Sequence, residues 1–206
     1  MKPELILEIL GKEFPDQGNE LDSNNDFEFL IAVILSAQTT DAAVNKITPI
    51  LFEKYEDPLS LSLAKHEDVE KILQPLGLQK AKAKHIIGAS KRLVEVYDSV
   101  VPKTRKDLMS LPGVGRKTAN VMLAVSFNIP AIAVDTHVAR IAKRLGYAEA
   151  DDSVIKVENK LMQVFQEKDW ANAHYLLLLF GRYISTASNH EDIYIILEKL
   201  KEKHNL

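Results

Sequence analysis

The chain has 206 residues, 46% of them hydrophobic, a formal net charge of −3 and no cysteine, which is enough apolar content for one substantial core or two small ones. The missing thiols exclude disulfides, thiolate metal sites and iron–sulfur clusters. The small net charge means that any nucleic-acid binding must use a local basic face. No apolar run approaches the roughly 20 residues that cross a bilayer, and the run from Tyr175 to Phe180 stops at Gly181. The N-terminal stretch mixes acids into its apolar positions, unlike a signal peptide, so a cytoplasmic protein is expected.

Read in order, the chain is helical nearly throughout. Leu5, Ile6, Ile9 and Leu10 predict a helix closed at Gly11, and the Pro, Gly, Asn and Asp content of 14–25 predicts a loop. An almost wholly apolar helix follows the polar SNND, from Phe27 to Leu35, and belongs in a core. Asp41 to Tyr55 comes next, with Val44, Ile47, Ile50 and Leu51 on one face and Asp41 as a candidate cap. Short helices over 59–64 and 67–73 lead to a turn at Pro75 to Gly77, then to a long amphipathic helix from Lys80 to Tyr97. Its basic start, Lys80, Lys82 and Lys84, reads as a solvated face.

Thr104 caps a helix reaching Ser110, and a second helix runs from Gly115 to Ser126, which together make a helix-hairpin-helix. AIAV at 131–134 is read as an extended loop because no partner strand is visible. Asp135 then caps a helix to Leu145 closed by Gly146. Helices over 153–165 and 169–183 follow, and Ser188 to Glu191 reads as a capping box for a last helix with Ile193, Ile196, Leu197 and Leu200 inward. The fold class is all-α. Breaks at Asp22 and Pro130 divide it into a central lobe, 22–130, and a second lobe formed by 1–21 plus 131–206.

The segment LPGVGRKTAN, residues 111–120, carries the most specific signal. Its glycines permit a sharp turn and close backbone approach. Amides that follow, at the positive end of a helix dipole, suit a phosphate. Lys117 beside Arg116 near that positive end is expected to have its charged form disfavoured, which would make its amine a nucleophile. Asp135 lies eighteen positions on. A helix over 115–126 advances about 18 Å, and 127–134, if extended, can retrace roughly 26 Å, so a return to the same end is geometrically allowed. The plain role of Asp135 is a helix cap. A carboxylate there stays ionised and can also stabilise positive charge.

With SAQTTD upstream, VDTHVAR after the hairpin and GRY downstream, the chain resembles the endonuclease III family of helix-hairpin-helix DNA glycosylases over nearly its whole length. The resemblance implies two all-helical lobes with a DNA-binding cleft between them and a monomer acting on double-stranded DNA with damaged bases or abasic sites. It implies catalysis by Lys117 and Asp135. Gly113, Val114, Gly115, Arg116 and Thr118 are the hairpin's DNA-binding candidates. Gln38 and Leu78 match the positions that enter the duplex, one as a polar plug and one as an apolar wedge, because a nucleotide must be extruded and its gap filled. His137 is carried with them and is expected to act through hydrogen bonds behind the site. Lys103, Arg105, Arg140, Lys143 and Arg144 are candidates for a basic surface.

Two departures stand out. Most members carry four cysteines after GRY that hold a [4Fe-4S] cluster, whereas this chain has 184–189 and then a helix, so the cluster is not expected. Met109 stands where related pyrimidine-specific enzymes often place an acidic residue. No organic cofactor or metal is implied, although hairpin carbonyls in the family can hold a monovalent cation. The leading expectation is a bifunctional glycosylase and abasic-site lyase of base excision repair, directed at oxidised pyrimidines. The alternatives are an enzyme that is mainly a lyase or takes a different lesion, and a non-catalytic module that binds damaged DNA.

Overall fold

A computed structural model describes residues 1–15 and 21–206. The loop expected over 14–25 therefore lies partly outside the described residues. Among these residues there are twelve α-helices and no strand, and no helix is long and apolar enough to cross a membrane. The chain divides into two compact units, Met1–Gly18 with Asn128–Leu206, and Asn19–Phe127. The second division falls just after Phe127, where the polar turn Asn128 has a positive φ of 52°, slightly ahead of the break read at Pro130.

The unit Asn19–Phe127 is built on α2 (Asp26–Leu35), in which every residue after Asp26 is buried. A helix apolar all round must sit inside a core, and α2 packs against α3 (Asp41–Lys54) and α6 (Gln79–Tyr97). Its start is fixed by Asn25, which accepts from the Glu28 N–H at 2.9 Å, while the Glu28 carboxylate accepts from the Asn24 N–H at 2.8 Å. Asp41 is not the cap of α3. Thr40 is, through its hydroxyl oxygen on the Ala43 N–H. Ile50 is 53% exposed, not inward, because the buried stripe is Val44, Ile47, Thr48 and Leu51 and position 50 points away from it. Helices α4 (Pro58–Ser62) and α5 (His66–Leu73) cover α6. The short α7 (Arg105–Leu108) and α8 (Arg116–Val121) complete the unit.

The other unit joins α1 (Pro3–Glu13) to α9 (Thr136–Arg144), α10 (Val154–Val164), α11 (Trp170–Leu179) and α12 (Ile193–Lys203). Helix α1 passes through Gly11 rather than ending there. Ile6, Ile9, Leu10, Ile141, Leu161, Leu176, Phe180 and Leu197 are fully or almost fully buried together, each stabilising by roughly 1.5–3 kcal/mol over an exposed state. Ala131 to Val134 lie outside any helix or strand and are buried, with Ile132 and Val134 in the same core. Asp192 caps α12 by accepting from the Tyr194 N–H at 2.8 Å. The capping box read at Ser188 to Glu191 is not formed, because Ser188 bonds Thr186 and the Glu191 carboxylate reaches forward to Lys199.

The two ends of this unit are tied by Glu13, which accepts from Lys203 Nζ at 2.7 Å and pairs with His204 Nε2 at 2.7 Å. The hydrogen bond from Lys203 is the largest cause holding the Glu13 carboxyl below its ordinary value. A lowered carboxyl stabilises the native state above the ordinary carboxylate range, and the contribution disappears as pH falls through the lowered native value. The Lys203 side chain is mostly exposed, so the effect is small, about 0.5–1 kcal/mol. Thermal melting of Glu13→Gln should fall below that of the parent near neutral pH and converge with it in acid.

Candidate functional site

The glycine hairpin is seated by close backbone packing. Leu111 and Val114 are buried, and the Val114 N–H donates to the Leu111 carbonyl at 3.1 Å, which tightens the turn. Gly113 has φ 82°, and a Cβ there would lie 2.8 Å from the Cβ of His85 on α6 and 3.1 Å from Ile34 Cγ2 on α2. A Cβ at Gly88 would press Pro112 at 3.2 Å. The hairpin thus rests on α6 at two glycine contacts. Gly113→Ala meets both a wrong φ and a clash, and should cost roughly 2–4 kcal/mol and weaken duplex affinity. Chemical denaturation and a binding titration read the two effects.

These contacts sort the hairpin candidates. Gly113 and Gly115 are exposed, Arg116 and Thr118 are half-buried, and Lys117 is exposed on the first turn of α8. Val114 is a core residue, so its side chain is not available for DNA. Helix α8 is braced by the fully buried Asn120, whose Oδ1 accepts from Arg105 Nε at 2.8 Å. Beyond Val121 the helix widens into a π-helical turn, Met122–Ser126, a departure that frequently accompanies functional sites.

In the other unit Asp135 caps α9, its Oδ1 accepting from the N–H groups of His137 and Val138 at 2.9 Å each. Asp135 is half-buried. His137, carried as a candidate that acts through hydrogen bonds, is half-buried, and its Nδ1 is buried with no hydrogen-bond partner among the described residues. Its Cβ instead faces Gly181, where an added Cβ would lie 3.2 Å from it and 3.0 Å from Ile141 Cγ1. The GRY glycine therefore exists for close approach of the π-helical turn Phe180–Ile184 to α9.

Most of the candidate basic surface is occupied internally. Arg140 Nη2 donates to the carbonyls of Gly181 at 2.6 Å and Ser185 at 3.1 Å. Arg144 donates to Ser185 Oγ at 2.6 Å, to the Asn189 carbonyl at 3.0 Å and to the Glu191 carbonyl. Lys143 Nζ donates to the Ala150 carbonyl at 2.8 Å. Lys103 lies over the Phe127 ring at 5.4 Å. The segment after GRY is thus fastened to α9 by two guanidinium groups. Charge counting could not distinguish such clamps from a solvated face.

Gln38 and Leu78 are both exposed and both have left-handed backbone, φ 56° and φ 50°. Positive φ is uncommon outside glycine and tends to mark strain kept for function. Lys82, read as solvated, is only 3% exposed. Its position four before Ile86, in the stripe Lys82, Ile86, Ala89, Ser90 and Leu93, was the available signal. Among the described residues no group of three or more His, Asp or Glu side chains could hold a metal ion.

Residues 31–167 match the HhH-GPD superfamily base excision DNA repair protein family. The chain is 47% identical over 180 residues to endonuclease III of Bacillus subtilis (strain 168), spanning 87% of this chain and 82% of that one. It is similar to a solved trapped endonuclease III–DNA covalent intermediate, with 46% identity, a TM-score of 0.87, and coverage of 91% of this chain and 88% of that one. It is also similar to a solved non-covalent endonuclease III–DNA complex, with 42% identity, a TM-score of 0.88, and coverage of 98% and 97%. With its glycine hairpin, exposed lysine and helix-capping aspartate in one all-helical chain, this protein belongs to the endonuclease III family of base excision DNA repair proteins.

Proposed function

We propose that this chain excises damaged bases, oxidised pyrimidines foremost, from double-stranded DNA and cuts the resulting abasic strand through an imine on Lys117. As a member of its family it is a DNA glycosylase and abasic-site lyase, and it acts as a monomer. The observation that carries the reading is Lys117, exposed on the first turn of the helix that follows a hairpin whose exposed glycines leave their backbone open to a phosphate. A relative caught as a covalent DNA intermediate supports a nucleophilic residue in this family.

The Lys117 amine attacks C1′ of the damaged nucleotide, and the bond from C1′ to the base breaks with its electron pair leaving on the base. Opening of the C1′–O4′ bond gives the imine. Loss of a C2′ proton then breaks the C3′–O3′ bond and expels the 3′ phosphate, and water hydrolyses the imine to return the amine. Asp135 stabilises the positive charge on the sugar as the base departs and takes part in handling the lysine proton. Gly113 and Gly115 hold a phosphate through their amides, Arg116 and Thr118 flank it, and Gln38 and Leu78 fill the gap in the duplex.

No resident cofactor enters these steps. The chain has no cysteine, so its residues do not fit the family's iron–sulfur cluster. In its place stand the Arg140 and Arg144 clamps. Met109 is 44% exposed and offers the lesion a thioether in place of a carboxylate, which favours a less polar pocket. Borohydride reduction with duplexes carrying thymine glycol, an abasic site or no lesion is the test. Adducts with the first two alone support the bifunctional reading, an adduct only with the abasic site makes the enzyme chiefly a lyase, and none at all overturns catalysis.

A further inference from the structure

The turn between α5 and α6 pairs a strained exposed residue with a buried charge. Leu78 is 54% exposed and left-handed, with φ 50° and ψ 26°. Such backbone costs a non-glycine residue roughly 1–2 kcal/mol, and an exposed leucine recovers little of that by burial. The preceding Gly77, with φ 67° and ψ 167°, closes the 3-10 turn Gln74–Leu76 that extends α5.

Lys82 grips both sides of this pair. Its N–H donates to the Leu78 carbonyl at 2.9 Å, and its Nζ donates to the Leu76 carbonyl at 3.1 Å. An ammonium buried in a helix's apolar stripe is costly unless it is bonded, and burial pushes the Lys82 amine below its ordinary value. A methionine would fill the same stripe at lower cost. The carbonyl it meets ends a helical segment, where the dipole favours a cation. The turn, rather than the core, accounts for a lysine here.

We propose that Lys82 is a positioning residue that holds Leu78 in the left-handed conformation from which it enters the duplex as a nucleotide leaves. The inference rests on the glycosylase reading above, with Leu78 as the wedge. It also implies that the wedge is set before DNA arrives, so that its strain and ordering are not charged to the extrusion step.

Lys82→Met keeps the volume and removes the charge. Hydrogen exchange at amides 77–82 should accelerate about 10-fold or more while other helices keep their protection. Excision of thymine glycol from a fully paired duplex should lose about 10- to 100-fold in kcat. KM and the cleavage of a ready-made abasic site should change by less than about threefold. Leu78→Ala should produce a similar loss, and adding Lys82→Met to it should lower activity no further. Lys82→Arg should restore part of the excision rate. Unchanged exchange at 77–82, or penalties that multiply in the double variant, would overturn the proposal. Failure of the unaltered protein to trap any damaged duplex would instead overturn the glycosylase reading, and the exchange result would still decide whether Lys82 holds the turn.

Discussion

Lys117→Ala should abolish borohydride trapping and strand cleavage, lowering turnover by roughly 10⁴-fold or more, while the protein melts as the parent does and still binds an abasic duplex. Stability should stay within about 0.5 kcal/mol, since the side chain is exposed. Alanine alone does not separate a nucleophile from a phosphate contact, because it removes charge and amine together. Lys117→Arg does. A guanidinium keeps the positive charge and binds phosphate at least as well, but it is not deprotonated in proteins and forms no imine with the sugar. If Lys117 only anchored a phosphate, the arginine variant would cut abasic DNA at close to the parental rate. On the reading argued above it binds well and is as inactive as alanine.

The sequence carried the helices well because most of them bury one periodic face. The wholly apolar stretch from Phe27 to Leu35 is a central helix, and the inward set on the last helix, Ile193, Ile196, Leu197 and Leu200, is buried as its spacing predicts. Boundaries chosen by single polar residues fared worse. Thr40 rather than Asp41, and Asp192 rather than Ser188, accept the first amides, because neighbouring residues of equal capping strength compete and tertiary contacts decide among them. Polar groups turned inward were the least legible. Lys82 read as a solvated face and Arg140 and Arg144 as candidates for a basic surface, yet each donates to backbone carbonyls. Those acceptors are irregular turns whose course a sequence pattern does not specify. At the candidate site what could not be read was the backbone of the residues. The left-handed conformations of Gln38 and Leu78 are set by the turns that hold them and contradict their own preferences.

Asp135→Asn should remove most base excision while leaving the fold intact, which separates two duties that the wild-type carboxylate performs at once. As a cap, Asp135 accepts two amides on one oxygen, and an asparagine carbonyl does this nearly as well. Only the favourable interaction of a full negative charge with the helix N-terminus is lost, about 0.3–1 kcal/mol, so the melting temperature should drop by only a few degrees. The charge matters far more as the base departs and the sugar becomes cationic, where a neutral amide offers little. Excision of thymine glycol should fall by about 10²–10⁴-fold in kcat. Cleavage of a preformed abasic site needs no base to be expelled, so it should lose less than excision does. Asp135→Ala adds the loss of the cap, roughly 1 kcal/mol more in stability, without a comparable further loss in rate. An asparagine variant that excises thymine glycol at the parental rate would leave Asp135 as a cap alone.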